Sequence, residues 1–484
     1  MGAEDLTMGC DSIRQTIHQF LVKAVEGREG SEKIILADGE RVYSRTDLIH
    51  SIHKLTSKIQ STGHTNWVLA CRDSGQFLTG LLALIMAGRR VLLPPNDKPG
   101  TLKEISEYSQ ALLTDGEGEG FEGFVLGFGN SEAKGACLNG FLPKTEQSEL
   151  VFFTSGSSGH ARPVTKSLHQ LEAEILALES RWGSLLGSSV ILSCVSHQHI
   201  YGVLFRLLWP LLTGRIIDTR QFEYPEQLLK AIRHYPEVAI VASPAQLGRL
   251  PMELDWKVIQ QQVSTIFSSG APLASGHAIQ VHQCFGHYPV EVLGSTETGG
   301  VAWRQQNPDF NKDGQHVNAW TPIDGVTAIL SNDRLKVYSP WLEDPAAGFV
   351  MGDRASLLDE NRFLLHGRAD LIVKIEGKRV SLTEIAKYLK TSPLVASAEM
   401  VVLERDRRQL GAVVILTDHG RDFLQKQGKL ALSRQLKTVL GQYLEAVTLP
   451  RKWRFPKCLP VNSQGKVVRK ALATLFDNVE KQHA

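Results

Sequence analysis

The stretch that decides the fold of this chain is ELVFFTSGSSGHAR, from Glu149 to Arg162. Its first part, residues 149–154, is a short apolar and aromatic run that predicts a buried strand. Beyond the glycine-rich loop, apolar side chains recur at helical spacing before Gly183, namely Leu168, Leu171, Ile175, Leu178 and Trp182. The segment therefore predicts a strand, a glycine-rich loop and a helix, in that order.

The loop has the composition of an anion-binding turn. Gly156 and Gly159 let the backbone fold tightly and direct N–H groups at an anion. Arg162 adds a positive charge, and hydroxyl donors come from Thr154, Ser155, Ser157 and Ser158. The spacing is not that of a Walker loop. These features suit a triphosphate, but a stretch rich in Gly and Ser is by itself more often a solvated loop, so the prediction depends on the other motifs.

A second motif, GSTETGG, runs from Gly294 to Gly300 after the strand-like run YPVEVLG. It places Thr296 and Glu297 directly after a glycine. A carboxylate beside a phosphate is repelled unless a cation lies between them, and Mg²⁺ prefers one or two carboxylates together with phosphate oxygens. Glu297 is therefore a candidate Mg²⁺ ligand. The alternative is an ordinary turn with a solvated glutamate.

A third region, residues 351–385, contains a carboxylate and a guanidinium suited to a nucleotide. Asp353 follows a glycine and is placed to accept from two vicinal ribose hydroxyls. Arg368 lies in a G-R-x-D turn, where its planar group can address ribose or phosphate oxygens. Asp370 in the same turn is either functional or an ordinary helix or turn cap.

The C-terminal region from Leu449 to Lys470 is basic and contains no acidic residue. One interpretation is a basic tail for nucleic acid or membrane. Few aromatic side chains interleave with these charges, however, and Gly465 places Lys466 in a tight turn. A lysine on a mobile loop can deliver a compact charge to a developing anion, which is the second interpretation.

Together these motifs resemble those of the adenylate-forming superfamily, which contains acyl-CoA synthetases, nonribosomal-peptide adenylation domains and luciferases. The resemblance covers nearly the whole chain. Val68 to Asn96 is similar to an early segment in which a helix packs beneath a strand ending in prolines. SHQHIYG, residues 196–202, resembles the H-x-x-G segment that places His199 at the mouth of the acyl pocket. FSSGAPL, residues 267–273, resembles the strand and turn that line the adenine and acyl sites.

The resemblance implies an α/β fold with a large N-terminal adenylation domain of mixed sheets and helices, residues 1–369. A small mobile α+β domain, residues 370–484, follows a hinge at Asp370 and rotates between two half-reactions. The cofactors implied are ATP and Mg²⁺.

Site residues are carried over by the same resemblance. It makes Thr154 to Gly159 the triphosphate loop, Thr296 a phosphate contact and Glu297 the Mg²⁺ ligand. It implies that Asp353 and Arg368 bind the ribose and that Gly377 faces the incoming pantetheine thiol. It also implies that Lys466 stabilises the attack of the carboxylate on the α-phosphate. His199 completes the catalytic set, and the remaining cofactor positions are Ser269, Gly270, Ala271, Gly294 and Ser295.

The chain departs from the family pattern after the phosphate loop, where T-G-x-P-K-G is usual. Arg162 keeps the positive charge, but Pro163 replaces a glycine and stiffens the turn. Leu371 stands where many members have a second acid beside the hinge.

The substrate is predicted to be an acyl or aryl carboxylate. Amino-acid activation in this superfamily commonly uses an aspartate in the segment aligned with SHQHIYG, and residues 193–215 contain no acid. The apolar residues Ile200, Tyr201, Val203, Leu204 and Phe205 form either the acyl pocket or ordinary core. The longer stretch SHQHIYGVLFRLLWPLLTGR, residues 196–215, also resembles the ligases found with bacterial aryl-polyene synthesis, whose acceptor is an acyl carrier protein. His197 and His199 could suggest a zinc site, but no Cys or carboxylate cluster matches them. A role in gating or packing is the better interpretation.

Composition agrees with an enzyme of this kind. A chain of 484 residues exceeds one ordinary core, and its net charge of +2 gives no reason to invoke nucleic acid. Its scattered cysteines suit a cytoplasmic protein. We expect no signal peptide and no membrane span, because FLTGLLALIMAG is too short to cross a bilayer. The partners expected are a small carboxylic acid and either CoA or an acyl carrier protein. The competing hypotheses are a stand-alone amino-acid-activating enzyme and a catalytically silent nucleotide-binding scaffold.

Overall fold

The computed structural model describes residues 15–26, 33–39, 41–128, 143–155, 161–307, 319–359, 361–368, 372–403, 407–460 and 469–477. Within these ranges the helices are α1 (Ile17–Glu26), α2 (Arg45–Ser61), α3 (Ser74–Met86), α4 (Pro99–Ile105), α5 (Leu168–Leu186), α6 (Ile200–Gly202), α7 (Trp209–Thr213), α8 (Pro225–Ile232), α9 (Pro244–Leu247), α10 (Ser275–Phe285), α11 (Leu382–Lys390), α12 (Asp418–Gly441) and α13 (Arg469–Asp477). A π-helical stretch, Val203–Leu208, joins α6 to α7. Short 3₁₀ helices cover Thr145–Gln147, Trp256–Gln262 and Ala446–Thr448.

The strands of the same ranges are β1 (Ile34–Asp38), β2 (Arg41–Ser44), β3 (Asn66–Ala70), β4 (Arg90–Leu93), β5 (Ala111–Thr114), β6 (Phe124–Gly127), β7 (Glu149–Ser155), β8 (Ala161–Ser167), β9 (Val190–Ser193), β10 (Ile217–Gln221), β11 (Val238–Ala242), β12 (Val263–Ser269), β13 (Val290–Ser295), β14 (Gly299–Arg304), β15 (Thr321–Pro322), β16 (Thr327–Ser331), β17 (Arg334–Tyr338), β18 (Phe349–Leu357), β19 (Phe363–Arg368), β20 (Ile372–Ile375), β21 (Lys378–Ser381), β22 (Val395–Leu403), β23 (Gln409–Leu416) and β24 (Lys452–Arg454).

Two large sheets organise the N-terminal part of the chain. One has the order β15-β14-β13-β12-β11-β9-β10-β1-β2, and the other has the order β6-β5-β3-β4-β7-β8. From β13 to β1 the first sheet is parallel, whereas its edges β14, β15 and β2 are antiparallel. A third sheet has the order β16-β17-β18-β19. The predicted α/β class with mixed sheets is confirmed.

Helices α3 and α5 supply the main core between these strands. Apolar side chains of α3 and α5 belong to one buried cluster with residues of β3, β4, β7, β9 and β10. Strand β9 shows how the layers separate: Ile191 joins this cluster, while Val190 and Leu192 join a second cluster on the opposite face. This is the alternation that a strand covered on both faces requires.

The predicted helix after the phosphate loop is confirmed as α5, and Leu168, Leu171, Ile175, Leu178 and Trp182 are all buried on it. The predicted order of strand, loop and helix was wrong, however, because β8 lies between the loop and α5. Val164 and Thr165 are β-branched and favour an extended backbone. Pro163, which cannot donate to a ladder, is tolerated because β8 is the edge strand of its sheet.

The segment Val68 to Asn96 also folds as expected. Strand β3 leads into α3 and then into β4, and the two strands pair in parallel with Trp67 opposite Val91. Asp73 caps α3 by accepting from the Gln76 amide, and α3 is buried along nearly its whole length. A helix that joins two parallel strands in this way is the usual crossover of a parallel sheet.

The chain separates into two compact units, of which the second contains residues 98–101, 154–162 and 368–484. Its C-terminal part contains the hairpin β20-β21, the sheet β22-β23-β24 and helices α11 and α12. Helix α12 is interrupted at Gly428, whose backbone is not helical. The domain boundary after residue 369 stays a prediction, because residues 369–371, including the expected hinge Asp370, lie outside the described residues.

Within the described part of the chain, no helix combines the length and the apolar character that a transmembrane segment needs.

Candidate active site

Two predicted segments meet at the carboxyl ends of β12 and β13. These strands are parallel neighbours, with Ser269 opposite Val292. The Ser269 hydroxyl donates to the Val292 carbonyl over 2.8 Å, so the end of one strand is tied to the other. Gly270 then turns the chain with φ +95°, a conformation that other residues rarely adopt. The carboxyl edge of a parallel sheet is where α/β folds place their ligands.

The motif GSTETGG forms the tight connection from β13 to β14, with Thr296 to Thr298 as the turn. Ser295 and Thr298 close it reciprocally: the Ser295 amide donates to the Thr298 hydroxyl over 3.1 Å, and the Thr298 amide donates to the Ser295 hydroxyl over 3.2 Å. A side chain at Gly294 would collide with the Gly299 carbonyl oxygen. The turn therefore presents Thr296 and Glu297, both partly buried, in a backbone that only glycine permits at its ends.

Beneath this turn lies a pair of buried charges that sequence reasoning missed. Lys166, at the end of β8, donates to the Glu297 carbonyl over 3.0 Å and to the Trp341 carbonyl over 2.8 Å. Glu174, on α5, accepts from the Gly300 amide over 2.7 Å. Trp341 closes the network, because its Nε1–H donates to the Gly300 carbonyl over 3.1 Å.

Burial shifts the pKa values of both Lys166 and Glu174. It lowers the pKa of Lys166 from its ordinary value, while the carboxylates of Glu174, Glu297 and Glu343 oppose that shift. Burial raises the pKa of Glu174 to about 7, against the opposing effects of the Gly300 hydrogen bond and the Lys166 charge. A signal was present in the sequence: Glu174 stands three residues after Leu171 on the apolar face of the predicted helix.

The segment with the two histidines follows β9, which lies between β10 and β11 in the sheet. The strand order reverses there, which marks the crevice where a doubly wound sheet binds its ligand. His199 is the last residue before α6, where it has extended backbone angles. Its catalytic role stays a prediction.

His197 is a packing residue. Its Nε2–H donates to the Cys71 carbonyl over 2.9 Å, and its Nδ1 accepts from the Ser74 hydroxyl at 3.0 Å. The ring also packs 4.4 Å from that of Phe77, centroid to centroid. Burial lowers the pKa of His197 to about 3, so the ring is neutral. Among the described residues, no group of three or more His, Cys, Asp or Glu side chains is placed to hold a metal ion.

Apolar and aromatic side chains surround the stretch from α6 to α7. The Phe205 ring lies 5.2 Å from that of Phe267, and the Trp209 ring lies 5.6 Å from it. Of the residues expected to form either pocket or core, Ile200, Val203, Leu204 and Phe205 are buried in the core, while Tyr201 is partly exposed. The Tyr201 hydroxyl donates to the Ala242 carbonyl over 3.3 Å.

The same stretch carries one buried cation, Arg206. It donates to the Val195 carbonyl over 2.8 Å and to the Thr219 carbonyl over 2.7 Å. Burial lowers the pKa of Arg206 to about 10, so the group is charged at neutral pH. The segment thus combines apolar surfaces with a positive charge.

Asp353 lies in β18 at an irregularity of the sheet. Arg334 pairs with Arg354, but Lys336 pairs with Val350, so β18 has extra residues between these pairs. Asp353 is half-buried and lies within this irregularity, between the buried Met351 and Ala355. Bulges of this kind redirect a side chain. Arg368 ends β19, and its side chain is outside the description.

The phosphate loop is described only at its ends. The Thr154 hydroxyl donates to the Arg162 carbonyl at 3.4 Å, and Arg162 is itself exposed. Ser155 ends β7. The other loop residues, Gly156, Ser157, Ser158 and Gly159, lie outside the described residues, as does Lys466, so their assignments stay predictions.

Gly377 lies in the two-residue turn of the hairpin β20-β21. Both turn residues have positive φ, +50° for Glu376 and +82° for Gly377, which is the type I′ geometry favoured in tight hairpins. The predicted contact with a thiol is not tested by this geometry.

A cleft of about 470 Å³ lies elsewhere, between α2, α3 and the carboxyl end of β5. Lys54, Lys58 and Asp115 are among the residues that line it. It contains none of the predicted site residues, so we assign it no part in the chemistry.

Comparisons with known proteins show what this chain is similar to. Residues 128–348 match the family model described as AMP-binding enzyme. A 4-coumarate–CoA ligase of Rhodobacter capsulatus is 23% identical over 324 residues, which are 67% of this chain and 76% of that protein. A D-alanine–D-alanyl carrier protein ligase of Staphylococcus haemolyticus is 30% identical over 133 residues, which are 27% of this chain and 26% of that protein. The structure of an amide bond synthetase from Marinactinospora thermotolerans has a TM-score of 0.78 at 17% identity, covering 94% of this chain and 99% of the other.

Proposed function

We propose that the protein is an ATP-dependent acid–thiol ligase, since residues 128–348 match the family model described as AMP-binding enzyme. It converts an aryl or acyl carboxylate to an acyl adenylate and transfers the acyl group to a phosphopantetheine thiol of CoA or an acyl carrier protein. The observation that carries the proposal is the convergence of Ser269 to Ala271 and of the Thr296–Glu297 turn on one edge of a parallel sheet.

The chemistry follows from the poor leaving group of a carboxylate, which is oxide. In the first step a carboxylate oxygen attacks the α-phosphorus of ATP, and the bond to the β-phosphate breaks, giving acyl-AMP and diphosphate. In the second step a thiol attacks the acyl carbon, AMP leaves, and one proton is released. The protein needs no covalent nucleophile, because positioning and charge stabilisation are sufficient for such a transfer.

The residues have separate parts in this scheme. Thr154, the loop to Gly159 and Arg162 hold the triphosphate, Ser269 to Ala271 and Gly294 to Ser295 line the adenine side, and Asp353 with Arg368 holds the ribose. Thr296 contacts the phosphates, and His199 lies at the mouth of the acyl pocket. Lys466 stabilises the charge that develops as the carboxylate attacks.

Glu297 would hold Mg²⁺, which when bound neutralises the phosphate charge. One partly buried carboxylate on a rigid turn fits this ion, since Mg²⁺ takes one or two protein carboxylates and completes its shell with phosphate oxygens and water.

The second step needs Lys466 removed and a thiol admitted. We propose that the domain after residue 369 rotates about Asp370 for this purpose, and that the turn at Gly377 then faces the pantetheine. The fixed type I′ geometry of that turn supports a role in which backbone, not a long side chain, lies against the incoming group.

An aryl or acyl acid is favoured by the environment after β9. Residues 193–215 contain no acid to grip an ammonium group, and the buried Arg206 adds a positive charge there. We assign the narrower role of an aryl-polyene ligase as a working hypothesis, with a carrier protein as its acceptor.

A second candidate is activation of an amino acid. It is favoured by the similarity of 133 residues to a protein named D-alanine–D-alanyl carrier protein ligase. The same name speaks for a carrier protein as acceptor, whereas the name 4-coumarate–CoA ligase speaks for an aryl acid and CoA.

The test is diphosphate release from ATP and Mg²⁺ with a panel of benzoates, cinnamates, fatty acids and amino acids, followed by CoA or a carrier protein. We expect release with an aryl or acyl acid, and thioester formation with one of the two acceptors. Release with amino acids alone would establish the second candidate instead. Nucleotide binding without release for any acid would indicate a silent scaffold.

Lys466→Ala is the matched variant for the first step. We expect it to abolish adenylate formation and to leave ATP binding largely intact, because the lysine acts on the developing charge and not on the bound nucleotide. Undiminished adenylation by this variant would contradict the role of Lys466.

A further inference from the structure

The buried Lys166 lies directly under the turn that presents Thr296 and Glu297. Its side chain is among the largest fully buried ones of the described residues, and its ammonium group donates to two carbonyl oxygens. One belongs to Glu297 itself and the other to Trp341. Burying a lysine costs desolvation free energy, so we expect its charge or its hydrogen-bond donors to have a role.

The contacts fix the turn at three points. Lys166 holds the Glu297 carbonyl, Glu174 holds the Gly300 amide over 2.7 Å, and the Trp341 indole holds the Gly300 carbonyl over 3.1 Å. Lys166 also donates to the carbonyl oxygen of Trp341, which links the first and third of these contacts.

From this geometry we propose that Lys166 is a positioning residue for the adenylation step, setting the backbone of Glu297 so that its carboxylate meets the phosphate-bound cation. The inference rests on the proposed function. Lys166 does not touch the substrates in this role. It acts through the Glu297 carbonyl, while the Glu297 side chain does the binding.

The charge of Lys166 has a second use within the network. The carboxylates of Glu174, Glu297 and Glu343 act on it electrostatically and raise its pKa against the effect of burial. A turn that must bring a carboxylate close to a polyphosphate concentrates negative charge, and a cation buried beneath the turn offsets part of it. A neutral donor would hold the carbonyl without supplying this offset.

The first test is Lys166→Met, which keeps the length of the side chain and removes its charge and donors. We expect amide hydrogen exchange at Thr298 to Gly300 to rise at least tenfold, because the turn loses one of its anchors. We also expect the Mg²⁺ concentration for half-maximal binding of a non-reactive α,β-methylene analogue of ATP to rise at least fivefold. In diphosphate release, kcat should fall at least tenfold and KM for the acid should change little.

The double variant Lys166→Met/Glu174→Gln separates positioning from charge burial. It leaves no unpaired buried charge, so we expect its melting temperature to recover toward that of the wild type. Its Mg²⁺ dependence should stay impaired, since the Glu297 carbonyl still lacks its donor. Recovery of both stability and Mg²⁺ dependence in the double variant would overturn the positioning role.

Arg215→Met is the matched control for loss of a buried cation. Arg215 and Glu179 form a buried pair at 2.7 Å, with side chains 6% and 5% exposed. We expect this variant to melt at a lower temperature with unchanged Mg²⁺ dependence. An equal change in Mg²⁺ dependence would show that any buried cation has this effect and would contradict the proposal.

Hydrogen exchange and binding of the ATP analogue can be measured without turnover. The positioning role of Lys166 and the proposed ligase function can therefore be refuted independently of each other. A wild type that releases no diphosphate with any acid contradicts the ligase function alone. If folded Lys166→Met has the same exchange rates and the same Mg²⁺ dependence as the wild type, only the positioning role is contradicted.

Discussion

Two short hairpin turns of this molecule hold their shape by different means. The turn from Thr296 to Thr298 is anchored by groups distant in sequence, Lys166, Glu174 and Trp341. The turn at Glu376 and Gly377 is set by its own two residues, which both adopt positive φ. The first turn carries Thr296 and Glu297, which we propose as site residues, and its geometry depends on long-range contacts. For the second turn, the conformational preference of its own residues suffices.

The largest effect is expected from Gly299→Ala in the anchored turn. Gly299 has φ +64°, and a Cβ there would collide with the Glu174 carboxylate and lie 2.6 Å from the Trp341 ring. Backbone strain and overpacking together should lower the free energy of unfolding by roughly 4 kcal/mol. Urea denaturation measures it. If the loss of unfolding free energy were only as large as for a Gly→Ala substitution at an exposed glycine, the anchors would not be rigid.

The next effect is a pH dependence specific to Glu174. Its pKa of about 7 lies above its ordinary value of 4.5, so the folded state binds more protons than the unfolded state between these values. The stability contributed by protonated Glu174 is therefore present below about pH 4.5 and is lost as the pH rises through about 7.

Glu174→Gln keeps an acceptor for the Gly300 amide and removes this titration. The stability of the variant relative to the wild type should increase by roughly 3 kcal/mol between pH 4.5 and 8. The check is urea denaturation of both proteins at several pH values. Parallel stability curves would contradict the assignment of the raised pKa to Glu174.

A smaller effect is expected from Gly377→Ala in the local turn. Its φ of +82° is unfavourable for alanine, which should lower the free energy of unfolding by about 1–2 kcal/mol. Thioester formation should be impaired more than diphosphate release if this turn faces the thiol. Equal impairment of both half-reactions would remove Gly377 from the thiol step.

The smallest effect is expected from Glu376→Asn, which creates the Asn-Gly pair preferred in type I′ turns. Glu376 has φ +50°, a conformation that asparagine tolerates better than glutamate. We expect stabilisation by about 0.5 kcal/mol, measured by thermal unfolding. Destabilisation would indicate that the Glu376 side chain contributes contacts that outweigh its backbone strain.

This contrast also explains what the sequence could predict. Local patterns were sufficient for α5, for β7 and for the strand before GSTETGG, because hydrophobic periodicity reports burial directly. The edge strand β8 was missed because a proline in a short stretch gives little periodic signal. The type I′ turn at Gly377 requires only its own residues, but Gly377 was singled out by the family resemblance and not by a turn pattern.

The anchors under the GSTETGG turn were not predicted because they come from distant parts of the chain. Lys166 lies beyond the phosphate-loop motif, and Trp341 belongs to no motif. Only the folded sheet order brings β8, α5 and the segment after β17 to one turn. Glu174 on an apolar helix face was the one local signal, since a buried carboxylate requires partners.

The most direct test of the proposed ligase chemistry is the fate of oxygen from the acid. With an acid that supports diphosphate release, labelled with ¹⁸O in its carboxylate, attack at the α-phosphorus followed by thiol transfer must place one ¹⁸O in AMP. Mass spectrometry of the nucleotide product should therefore find labelled AMP and no ADP. Labelled inorganic phosphate together with ADP would show attack at the γ-phosphorus and would contradict adenylate formation.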